Sequence, residues 1–133
     1  MTRFTRFTRF TAFTGFMVLA MPAFAHHSAA GIDRSKTVTL TGTVKQFGWQ
    51  NPHSWMEVDV PGDNGAVTTW KIEMTSPAFL IRAGWKATTV KPGDKVTVKA
   101  YPLKDGDPGG LFQSVTLADG STLTERPAIA RQP

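Results

Sequence analysis

The stretch 36–48 constrains this chain most. Val38, Leu40, Gly42 and Val44 alternate with Thr37, Thr39, Thr41 and Thr43, so apolar and hydroxyl-bearing residues fall on opposite faces. A period of two marks a strand that is buried on one face and solvated on the other. Such a strand cannot stand alone, because later elements must cover its apolar face. Gly42, inside the run, predicts a bulge or a sharp bend.

The covering elements are readable further along. Asn51-Pro52 breaks the run, and a second strand over 53–60 sets Met56, Val58 and Val60 against His53, Trp55, Glu57 and Asp59. Pro61 to Gly65 is dense in turn formers, and a third strand over 66–74 puts Trp70, Ile72 and Met74 opposite Thr69, Lys71 and Glu73. Ser76-Pro77 predicts a helix start and Gly84 its stop. After the Lys91-Pro92-Gly93-Asp94 turn, strands are predicted over 95–101 and 111–118, with Asp119-Gly120 turning into a short return over 121–124. The order β-β-β-α-β-β predicts an all-β domain with one short helix, an OB-fold-like five-stranded barrel. An open sheet packed on the helix is the alternative, but one short helix would leave edges and apolar faces that closure protects. The core is expected to hold Val38, Leu40, Val44, Met56, Val58, Trp70, Ile72, Val96, Val98, Val115 and Leu117. Trp49 and Trp85, each beside a glycine, are expected as half-buried caps of the barrel mouth.

Residues 1–25 carry a different signature. Arg3, Arg6 and Arg9 precede a mostly apolar stretch from Thr11 to Met21, and Ala23-Phe24-Ala25 fits a cleavage site. The expectation is a signal peptide cut after Ala25 and a periplasmic or secreted protein; an uncleaved anchor is the weaker alternative, since the apolar stretch is short and broken. The mature chain then has no transmembrane span. Of 15 Lys and Arg, three leave with the leader, and the 12 that remain against 10 Asp and Glu give +2. That weak charge, with export, makes nucleic acid an unlikely partner. Cysteine is absent, which removes disulfides and thiolate chemistry. The mature chain divides into a lead-in over 26–36, the barrel over 37–124, and a tail over 125–133 that is expected to be poorly ordered.

Cleavage there would make His26 the first residue, followed by His27, with His53 the remaining histidine of the chain. An N-terminal histidine offers an amine and a ring nitrogen, and nitrogen-rich ligand sets suit Cu(II). The expected metal set is His26, His27 and His53, with Glu73 as a supporting or weak axial partner. A hairpin register summing to about 126 puts His53 opposite Glu73, Trp55 opposite Lys71 and Glu57 opposite Thr69. Trp55 and Lys71, with Asn51 beside them, form the alternative metal-free site, an aromatic face for a polymer or a protein partner. Ordinary cross-strand pairing on a solvated face accounts for the same residues without any ligand.

The opening His26-His27-Ser28, the run Thr39 to Val44, Asn51-Pro52-His53 with Trp55, and Trp70 to Glu73 followed by Ser76-Pro77 together form a pattern. Gly84-Trp85, Lys91 to Asp94 and Ser114 to Gly120 extend it over nearly the whole mature chain. It resembles an uncharacterised family of small exported bacterial proteins, domain of unknown function 6152. The resemblance implies a fold and no activity. The Met74-Thr75 step before Ser76 is less usual for that pattern. With no cysteine nucleophile, no Gly-x-Ser-x-Gly elbow and no phosphate loop, an enzyme is not expected. The reading is a small periplasmic binding module whose ligand or partner the residues do not name.

Overall fold

The computed structural model describes residues 31–126. The leader, its cleavage point, His26, His27 and the tail from 127 onward lie outside the described residues. Within them the elements are β1 (Val38–Gly48), β2 (Trp55–Pro61), β3 (Val67–Glu73), α1 (Pro77–Arg82), β4 (Lys95–Pro102), β5 (Gly109–Leu117) and β6 (Thr122–Thr124). The sheet order is β3-β2-β1-β4-β5-β6, and a parallel pairing of β3 with β5 closes the first five strands into a barrel. This is the OB-like arrangement that the element order predicts, with β6 as a short antiparallel extension on β5.

β1 reaches both neighbours because it bends. Its first half, Val38 to Thr43, pairs with β4, and its second, Thr43 to Gly48, with β2. The bulge predicted at Gly42 lies instead between Val44 and Gln46. Gly42 has another role: a Cβ there would overlap the carbonyl of Asp59, so the residue lets β1 and β2 approach where the strand turns the corner.

Inside the barrel the period-2 pattern holds. Leu40, Val44, Met56, Val58, Ile72, Val96, Val98 and Val115 are buried as expected. Val38, Trp70 and Leu117 are only partly buried and pack against the core from its margins. Val38 and Leu117 stand at strand ends, whereas Trp70 is in the middle of β3 and is still only partly covered.

The helix plugs the barrel through one side chain, Leu80, the only buried residue of α1. Ser76 and Pro77 begin it as predicted, though the Ser76 hydroxyl makes no capping bond. At its end Gly84 has φ +91°, Gly84 N–H donates to Ile81 at 3.0 Å and Trp85 N–H donates to Leu80 at 3.0 Å. This double bond pattern is a Schellman motif, which brings the residue after the glycine back onto the helix. Trp85 is therefore wholly buried rather than a half-buried cap. Its ring meets Phe112 edge-on, and its Nε1 donates to the Thr124 carbonyl at 2.8 Å. Among the described residues no helix is long and apolar enough to cross a membrane.

Within the described residues both flanks are tied to the barrel. Ile32 is buried and bridges Leu103, and Asp33 N–H donates to Pro102 at 2.8 Å. At the other end Glu125 accepts a bond from Thr75 N–H at 2.6 Å, tying the residue after β6 to the β3–α1 connection.

Candidate metal and ligand site

The β2–β3 hairpin carries the site. Its pairs are Trp55 with Glu73, Glu57 with Lys71 and Asp59 with Thr69, two residues away from the expected register. The reason lies in the turn: Pro61 pairs with Val67, and Gly62 N–H bonds the Ala66 carbonyl at 2.7 Å, so the loop is centred on Asn64. A slip of two residues keeps every side chain on its expected face, whereas a slip of one would reverse them all. The two expected contacts survive as diagonal neighbours, within reach of long side chains.

His53 precedes β2 and faces outward. Its Nδ1 contacts the Glu73 carboxylate, and the two side chains are 53% and 34% exposed. The contact defines the ring: with Nδ1 engaged by a carboxylate, Nε2 is the nitrogen left to bind something else. Ser54, the next residue, points inward and holds the strand end in place through Ser54 N–H to Thr75 at 3.1 Å and Met74 N–H to Ser54 at 2.9 Å. Its hydroxyl is fully buried and without a hydrogen-bond partner among the described residues.

Trp55 lies across the sheet on Gly48, its partner in β1. A Cβ on Gly48 would overlap the indole, so the bare glycine is what seats the ring. The Lys71 ammonium stands 5.2 Å from the indole centroid, a cation–π distance. Asn51, the third expected ligand residue, is exposed in the β1–β2 loop, joined to Pro52 by a cis peptide, and belongs to neither pair.

Glu125 is the carboxylate that sequence reasoning missed, having been assigned to the tail. Burial pushes its pKa up, against the opposing pull of the Thr75 N–H, the nearby His53 ring and the Arg126 guanidinium, while the Glu73 charge adds to the rise. Nothing in its local sequence signals this, because Thr75 is 50 residues away along the chain. Among the described residues no three His, Asp or Glu side chains gather tightly enough to hold a metal. Of the expected metal set, His53 and Glu73 lie among the described residues, and the fold brings these two together.

Residues 15–113 match a family described as a family of unknown function, DUF6152. The chain belongs to that family. Its description names no activity, so the family fixes the kind of domain and leaves the ligand open. No curated protein matches the chain. Among solved structures it is similar to a crystal structure of the mitochondrial single-stranded DNA binding protein Rim1 of S. cerevisiae, with 13% identity and a TM-score of 0.48. That similarity covers 62% of this chain and 93% of the yeast chain, and at this identity and score it assigns no ligand to this one.

Proposed function

We propose that this DUF6152 chain is a small exported, periplasmic binding module, not an enzyme, that takes up Cu(II) where its mature N-terminus meets His53. The observation that carries the proposal is the contact of His53 Nδ1 with Glu73 on a half-exposed ring. Histidines that ligate metals commonly have their other ring nitrogen held by a carboxylate in this way. Glu73 then acts by orienting the ring rather than by binding the ion.

An amine and imidazoles without thiolates favour copper over zinc.

The test is a copper titration followed by electron paramagnetic resonance. It compares chain beginning at His26, the same chain with one added N-terminal residue, and His53→Ala. Tight binding with nitrogen coupling is expected only in the first. Equal binding by all three would sink the proposal.

The Lys71–Trp55 stack supports a second reading, a metal-free face for a polymer or protein partner. There Trp55→Ala would abolish binding while His27→Ala would be silent.

A further inference from the structure

A second place on the barrel gathers exposed cations around an aromatic ring and does not use the histidines. A groove of about 470 Å³ runs along the outer side of β4, β5 and β6. Its walls include Arg34 from the lead-in, Tyr101 from β4, Leu111 and Gln113 from β5, and Thr124 and Arg126 at the end of β6. The pairing of β4 with β5 sets Tyr101 beside Leu111 at its centre.

The two guanidiniums matter most. Among the described residues neither Arg34 nor Arg126 has a carboxylate within ion-pair distance. Arg34 lies 5.7 Å from the centre of the Tyr101 ring, which holds the guanidinium in place while leaving its N–H edges free. Glu125, also in the groove, is already engaged by Thr75 N–H. The lining therefore carries two cations against one carboxylate, a net positive charge that suits an anionic ligand. Gln113 donates from Nε2 to Thr37 at 3.2 Å and keeps its Oε1 for a ligand, the Thr124 hydroxyl donates to the Arg126 carbonyl at 2.7 Å and keeps its acceptor lone pairs, and Leu111 offers a half-buried apolar surface.

We infer that this groove binds a carboxylated polysaccharide. Guanidinium forks match carboxylates in geometry, the amide and hydroxyl match sugar hydroxyls, and the apolar strip matches the C–H face of a sugar ring. The inference goes beyond the copper site and does not depend on it.

The probe is polygalacturonate fragments, titrated calorimetrically into the full chain in the presence of EDTA, so that a failure of the copper proposal leaves this result unaffected. Binding is expected to weaken with salt. Arg34→Gln and Arg126→Gln should each weaken it by about tenfold. Both side chains are exposed, so the variants should fold as the parent does. Arg82→Gln, exposed on α1 away from the groove, should bind as the parent does. Absence of binding by the parent chain, unchanged binding by the Arg34/Arg126 double variant, or equal or tighter binding of polyglutamate or polyphosphate would each overturn the inference.

Discussion

Gly48→Ala isolates the packing that places Trp55. A methyl group at position 48 would overlap Cε2, Nε1 and Cδ2 of the indole, so the ring would have to lift off β1. Two opposing effects set the size of the change. Alanine in place of a strand glycine contributes about 0.5 to 1 kcal/mol of stability by restricting the unfolded chain. Forcing a methyl beneath a seated ring costs about 1 to 3 kcal/mol. The clash wins over most of that range, and the variant should be less stable by up to about 2.5 kcal/mol, each kilocalorie appearing as about 4 to 8 °C in Tm. With Trp55→Ala already in place the methyl meets no ring, and the sign reverses to a gain of about 0.5 to 1 kcal/mol. Urea unfolding of the parent, both single variants and the double variant measures this coupling. If Gly48→Ala has the same effect in both backgrounds, the indole does not rest on Gly48, and the placement of Trp55 with one face against β1 is wrong.

Ser54→Ala should raise stability by about 1 to 3 kcal/mol, because it removes a buried hydroxyl that lacks a partner; a drop on urea unfolding would mean that the hydroxyl is bonded. Glu125→Gln tests the buried carboxylate. Its raised pKa means that the folded chain holds the proton more tightly than the unfolded one, so its contribution favours folding at low pH and is lost as pH rises above the ordinary Glu range. The Gln variant should therefore be the more stable at neutral pH, with the advantage shrinking on acidification; thermal melts from pH 4 to 8 that run parallel would refute the assignment. Leu80→Ala should cost about 2 to 5 kcal/mol in denaturant unfolding, and a loss below 1 kcal/mol would show that α1 is not seated on the core through that side chain.

Much of the site was legible because its grammar is local. The alternation of His53, Trp55 and Glu57 with Met56, Val58 and Val60 assigns faces correctly even though the register differs by two, since parity survives a two-residue slip. Trp85 was misplaced because its burial depends on the Schellman turn and on Thr124, not on the pattern around it. Trp70 followed its face correctly but sits at the margin of the barrel, where a shared face does not guarantee full burial.

The sequence by itself determined the strand periods, the helix ends and the side of the sheet on which His53, Trp55, Lys71 and Glu73 stand. Those properties come from backbone preferences and polar alternation within a few residues. Tertiary structure alone decided which strands close the barrel. The parallel pairing of β3 with β5 sets Leu111 beside Glu73, and the pairing of β4 with β5 sets Tyr101 beside Leu111, while Arg34 lies over the Tyr101 ring. It also returned Glu125 to Thr75 and made the groove between Arg34 and Arg126. The physical reason is chain separation: contacts between segments dozens of residues apart are selected by how the whole core closes, and no local pattern encodes that choice.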